Sequence, residues 1–377
     1  MLKNIQLSSC LSVVAMTGLG LLLPDLGKDL QAAPITFQPK ADYATDATPI
    51  DLAAGDVNLD GKPDLVTANI GAGTVSVLLN NGFGVFLPKV DYTAGANTNA
   101  VVIGDVNSDG KADLVTANYA ANTVSVLIGN GNGTFQPKTD YTTGLNPYSL
   151  AIGDVNRDGK ADLLVTNAGG NSVSVLLGTG GGVFGAKNDF IVGAFPQAVA
   201  VADVNRDGKP DLVTANYSAD TLSVLIGKGN GSFNFKVDYS TGTSPSMVAV
   251  GDVNRDGKLD LFAPNANANT VSVLLGKGNG VFNAKVDYGT GDSPYSVGIT
   301  DINRDGKPDL VVANGVSNTV SVLPGKGNGV FLAKTDYAVG ANPSAVAVAD
   351  VNGDSNVDVL TANLSDSTAS VLVNTTP

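Results

Sequence analysis

Seven short acidic loops hold most of the chemistry this chain could perform. Each reads Asp-x-Asn-x-Asp-x-x-x-Asp, and each begins 49 residues after the one before. The first positions are Asp56, Asp105, Asp154, Asp203, Asp252, Asp301 and Asp350, and the third are Asn58, Asn107, Asn156, Asn205, Asn254, Asn303 and Asn352. The fifth are Asp60, Asp109, Asp158, Asp207, Asp256, Asp305 and Asp354, and the ninth are Asp64, Asp113, Asp162, Asp211, Asp260, Asp309 and Asp358. Alternate side chains of a tight loop converge on one side. With the backbone carbonyl of the seventh residue (Lys62, Lys111, Lys160, Lys209, Lys258, Lys307 or Asn356) they offer an all-oxygen set of the kind calcium takes at ~2.3–2.6 Å. Nitrogen and sulfur donors are missing, which selects calcium over zinc or copper. Asn, Asp and Gly are common in plain turns, but three carboxylates within nine residues repel one another unless a cation lies among them. The expectation is up to seven Ca2+, one per loop.

Two details grade the sites. Six loops carry glycine at the sixth position, as at Gly110, where a positive φ bends the loop around an ion. The seventh carries Ser355, so the site at Asp350 is expected to be the weakest. Asparagine at the third position removes a charge and suits a calcium-rich exterior. The loop is not an EF-hand: Thr116 stands at the twelfth position of the loop that begins at Asp105, where a bidentate Glu would be needed.

Composition excludes much else. The chain has no His, no Trp and no Glu, and its only cysteine is Cys10. Imidazole-based triads and zinc sites are therefore ruled out by inventory. A formal net charge of -13 argues against nucleic acid or an anionic membrane as partner. Three of the 35 acidic residues sit in each loop, so seven divalent ions would bring the protein near neutrality. Residues 1–33 read as a secretory signal peptide, with Lys3, an apolar run from Leu11 to Leu23 and a polar stretch to Ala33. That run is too short to span a membrane. Leu7-Ser8-Ser9-Cys10 looks like a lipoprotein box but precedes the apolar run instead of ending it. The expected location is secreted, extracellular or periplasmic.

The loops need elements to hold them. In the copy from Ser149 to Phe190, one apolar strand enters the loop Asp154–Asp162 and a second leaves it. A third, Ser172–Leu177, alternates β-branched residues with serine, and a glycine turn leads to a fourth around Asp189-Phe190. Helix signals are absent. Residues 34–377 are thus expected to form an all-β, seven-bladed β-propeller with four antiparallel strands per blade. The last repeat lacks its fourth strand. Thr36 to Tyr43, which matches Thr134 to Tyr141, is expected to supply it and close the ring. A solenoid would need caps that the sequence does not show.

The motif Asp-x-Asn-x-Asp-Gly-x-x-Asp-Leu, followed by Thr-Val-Ser-Val-Leu, resembles FG-GAP repeats, also called VCBS repeats, of the integrin alpha-chain propeller type. The resemblance runs from about Phe37 to Asn374. It implies calcium in the loop between the first two strands of each blade, and it leaves the partner open.

Antiparallel strands put the acidic loops and glycine turns on one face and the less regular loops on the other. Six tyrosines (Tyr43, Tyr92, Tyr141, Tyr239, Tyr288, Tyr337) recur in the fourth strand and read as packing. Tyr119, Tyr148, Tyr217 and Tyr295, joined by Phe195, map to loops of the variable face, where they could stack on sugars or anchor a protein. Asn69 and its six equivalents, 13 residues into each repeat, are expected to end the second strand in a left-handed turn. The recurrent serines at Ser76 and its equivalents, with the fourth-strand aspartates, read as packing and blade-to-blade bonding. These features favour a monomeric, non-enzymatic binding or adhesion module for an extracellular protein or glycan. A calcium-dependent lectin is the alternative. A polysaccharide lyase is less favoured, because no unique basic cluster breaks the sevenfold pattern.

Overall fold

Segments such as Asp64–Asn69 are buried along their whole length, so they show no alternation of apolar and polar residues; they must lie between two other layers. In the computed structural model, which describes residues 34–377, they are the second strands of seven four-stranded antiparallel sheets. The third blade shows the plan: Pro147–Gly153, Asp162–Asn167, Ser172–Leu176 and Asn188–Ile191, paired in that order. The sheets form a seven-bladed β-propeller with no helix among the described residues. The expected signal segment lies outside the described residues. No helix among them is long and apolar enough to cross a membrane.

Closure occurs where the sequence places it. Ala41–Ala44 pairs with Thr368–Leu372, with Asp42 opposite Ser370, so the first strand among the described residues is the fourth strand of the last blade. Phe37 bridges Asn374, and Asn374 Nδ2 donates to the Ile302 carbonyl of the neighbouring blade at 2.8 Å. The outer strands are exposed apart from their tyrosine, or Phe190 in the third blade, and a Lys–Asp pair such as Lys89–Asp91 lies by each, which discourages edge-to-edge pairing. Apolar clusters fill the space between blades. Each fourth-strand aromatic packs edge-on against a phenylalanine of the next blade, as Tyr43 does on Phe86 at 5.3 Å between ring centroids.

The fifth blade departs from the plan for a local reason. Pro264 stands in its second strand, and its carbonyl accepts from Ser246 N–H on the first-strand side. The missing N–H of proline therefore falls on that same side. The first strand is accordingly shortened to Ala249–Gly251.

The asparagine that ends each second strand does not adopt the expected left-handed turn. None of the seven has a positive φ, and all are fully buried. Each is the hub of a side-chain network. Asn216 Nδ2 donates to Thr221 Oγ1 at 3.1 Å and Ser223 Oγ at 2.8 Å, and Ser223 donates to Asp238 Oδ1 at 2.7 Å. Within a blade the network thus ties strands two, three and four. The same serine reaches the inter-blade link: Ser174 Oγ accepts from Gly144 N–H at 3.1 Å. The left-handed residues are instead Asn122 and its equivalents in the other blades, in the turn that follows.

Candidate functional site

On the acidic face, the first Asp of each loop organises the turn. Asp105 Oδ1 accepts from Asp109 N–H at 3.1 Å and its Oδ2 from Gly110 N–H at 2.8 Å, while Asn107 Oδ1 also accepts from Asp109 N–H. The ninth residue, Asp113, lies fully buried between the loop and the hairpin that joins strands three and four. Its two oxygens accept from Val106 N–H at 3.0 Å and Gly129 N–H at 2.8 Å. Burial pushes its carboxyl up to about 6 against the pull of those two N–H groups, and the charges of Asp105 and Asp109 add to the rise. Asp64, Asp211, Asp260 and Asp358 are likewise raised to about 6 and Asp309 to about 7, each chiefly by burial.

Among the described residues no three carboxylates form a ready-made metal cage. The loop oxygens are occupied with backbone N–H groups, although each retains a second lone pair. The sixth loop differs. Asp301 Oδ1 and Asn303 Nδ2 are buried without a hydrogen-bond partner, and burial raises the Asp301 carboxyl. An orphaned carboxylate oxygen among hard donors fits a divalent cation.

The seventh loop keeps its curvature by exchanging two residues. Every loop needs a positive φ at both its fourth and sixth positions, as at Arg157 (φ 62) and Gly159 (φ 82). The last loop has Gly353 (φ 79) and Ser355 (φ 70), and Ser355 N–H still reaches Asp350 Oδ2 at 2.8 Å. Its side chains also differ from those of the other loops: Asn352 Nδ2 donates to Asp354 Oδ2 at 2.9 Å, and Gly353 N–H donates to Asp350 Oδ1. Ser355→Gly is expected to remove one left-handed side chain and to stabilise the protein by about 1 kcal/mol with or without metal. A calorimetric melt that shows no gain in the metal-free state would refute this.

The opposite face is built by a repeated β-bulge. The first strand slips register at its second residue in six blades, for example between Pro196 and Ala198. A bulge re-aims a side chain, and here the residues at this position surround a funnel on the propeller axis of about 240 Å³. They include Asn99, Tyr148, Gln197 and Tyr295. Tyr148 and Tyr295 therefore lie in first strands and not in loops. Burial in the funnel pushes the Tyr148 hydroxyl up to about 12.

Four of the five expected aromatics meet. Tyr119, Tyr148, Phe195 and Tyr217 form a chain of edge-to-face contacts, each 6.3 Å between centroids, across three blades. All four are half-exposed. Tyr295 lies apart from this arc, at the funnel, over Gly315. Phe195 holds φ 53 at a position that is Thr, Asn or Ser in the other six blades. A bulky residue is uncommon there and strained.

Sequence reasoning missed Asp51, which also borders the funnel. Its equivalents are Ala100, Ser149, Ala198, Met247, Ser296 and Ala345, so a comparison that seeks shared positions passes over it. Asp51 is 7% exposed, and burial pushes its carboxyl up to about 7 against hydrogen bonds from Val101 and Leu52 N–H.

The fold and its seven loops define a repeat-built β-propeller. A family profile for the FG-GAP-like repeat matches residues 56–116, 105–165, 154–214, 203–263, 252–312 and 301–361, and the chain belongs to that family. A comparison with curated proteins finds no match. Solved structures of similar fold include BBS1N in complex with ARL6DN, 12% identical, covering 91% of this chain and 97% of that one with a TM-score of 0.64. A virginiamycin B lyase from Staphylococcus aureus, with quinupristin, is 15% identical over 89% and 99% of the two chains, with a TM-score of 0.58. An Agrocybe aegerita lectin that recognises non-reducing terminal N-acetylglucosamine is 20% identical over 82% and 88%, with a TM-score of 0.53.

Proposed function

We propose that this protein is a secreted, calcium-stabilised and monomeric binding module whose variable face engages an extracellular protein or glycan. The observation that carries the reading is the aromatic arc. Half-exposed rings in contact across three blades supply rigid area at low entropic cost, and the fold keeps one of them, Phe195, in a strained backbone state. Calcium, when bound, would cross-link the loop oxygens and offset their crowded charge, with Asp, Asn, Asp and Asp at positions one, three, five and nine and the seventh carbonyl as ligands. On this reading the protein acts by binding and not by catalysis. Sugar rings stack well on tyrosine, which makes a calcium-dependent lectin the second reading; the same fold accommodates sugar recognition in the Agrocybe aegerita lectin.

Glycan and extracellular-matrix arrays, probed with calcium and with chelator, test this. Calcium-dependent binding is expected, and it should be lost when Tyr119 and Tyr217 become Ala. Phe195→Asn should weaken binding while raising stability by about 1 kcal/mol, because Asn tolerates the left-handed region. Binding that survives all three changes would remove the arc from the proposal.

A further inference from the structure

The bulge ring satisfies most of its own polar groups. Asn99 Nδ2 donates to the Tyr148 carbonyl at 2.9 Å and Ser246 Oγ to the Tyr295 carbonyl at 2.9 Å, each reaching the equivalent residue of the next blade. Asp51 is the exception in charge. Its Oδ2 accepts from Val101 N–H at 3.0 Å, but that task needs no charge: Ser296 Oγ accepts from Val346 N–H at 3.1 Å and Met247 Sδ from Val297 N–H at 3.2 Å at the matching positions. A neutral side chain would serve, and burying a carboxylate without a counter-charge is costly. The other titratable groups around the funnel are Tyr148 and Tyr295, and no Lys or Arg borders it.

We propose that the axial funnel is a binding site for a primary ammonium group, with Asp51 as counter-ion and the Tyr148 and Tyr295 rings as its aromatic wall. Tyrosine faces attract cations, and each Asp51 oxygen keeps a lone pair beyond its backbone bond. The volume of about 240 Å³ lies below the ~300–1,000 Å³ of pockets for drug-sized ligands, so the site suits an alkylammonium tip, such as a lysine side chain, and not an extended polymer. The acidic net charge favours a cation there, and an anion would meet no basic group. The inference deepens the reading of the variable face as a binding surface.

The test titrates n-butylammonium and neutral n-butanol into the full-length protein by ligand-observed NMR at pH 8. Butylammonium is expected to bind and butanol to bind at least about tenfold more weakly, a gap of the size a charge-assisted contact gives. Asp51→Ser should cost butylammonium about tenfold with little change in melting temperature, since Ser149 and Ser296 occupy the same position in other blades. Should that variant fail to fold, Asp51→Asn keeps the size and an acceptor and carries the same expectation. Equal binding of the two probes, equal binding by the parent and the variant, or no binding by the parent would each overturn the proposal. The array screen does not depend on the ammonium probe, so either can fail alone.

Discussion

Titrating calcium into metal-free protein at pH 6 is expected to release protons, and chelation at pH 7.5 to lower the unfolding temperature by tens of degrees. Both effects trace to the ninth-position carboxyls. Asp64, Asp113, Asp211, Asp260 and Asp358, raised to about 6 by burial and by their loop neighbours, are about half protonated at that pH without metal. A cation among the same oxygens favours the ionised form, so protons leave as the ion enters. At pH 8 these groups are already ionised, and release should vanish. A site at 100 times its Kd adds about 2.7 kcal/mol, which for a chain of this size is roughly 4 °C each.

The sign of the pH dependence separates this from a general salt effect. A carboxyl whose folded pKa is raised contributes stability that is fully present below its unfolded value near 4 and is lost as pH rises through 6 to 7. Metal-free protein should therefore be more stable at pH 5 than at pH 7.5. With calcium bound the folded pKa falls, and the trend should reverse. Melts at the two pH values with calcium and with chelator, together with a pH-stat titration, check both claims. Coincident melts in calcium and in chelator would defeat the calcium reading.

Periodicity explains what the sequence reveals and what it hides. The 49-residue interval exposes the positions that the blades share: the loops, the fourth-strand tyrosines as packing residues, and the closing strand at Ala41–Ala44. It hides what occurs once. Asp51 and Pro264 are single departures, and their consequences depend on which neighbour they face, a property of register. It also misassigned a role. Asn69 and its equivalents have a turn-like composition, but they fill a buried slot in which amide geometry matters and backbone freedom does not. The fourth loop position is left-handed in every blade, yet it shows no glycine signal until Gly353, because Leu, Ser and Arg occupy it elsewhere. The aromatic arc was legible by residue, because irregular tyrosines stand out against regular ones; that Tyr295 lies apart follows from blade order around the ring.

Asn216→Ala is expected to be the most damaging single change in a blade, about 3–4 kcal/mol, because it strands several buried partners together. Its amide donates to Thr221 and Ser223, and its Oδ1 accepts from Thr214 Oγ1 at 3.0 Å and from Gly193 N–H at 3.2 Å. The repeats supply a converse experiment. Thr67, Thr116, Thr214 and Thr361 donate to the asparagine two residues on. Three blades have Val165, Ala263 or Val312 at that position, and in those same blades Asn167, Asn265 and Asn314 leave Oδ1 buried without a partner. Val312→Thr keeps the shape of the side chain and supplies the missing donor. If the hub stabilises through hydrogen bonding, this variant should gain about 1 kcal/mol in a denaturant titration. If the asparagine only fills space, the same change buries a hydroxyl for no return and should cost ~1–3 kcal/mol. The sign of that difference, more than the size of the Asn216→Ala loss, decides whether the network holds the blade.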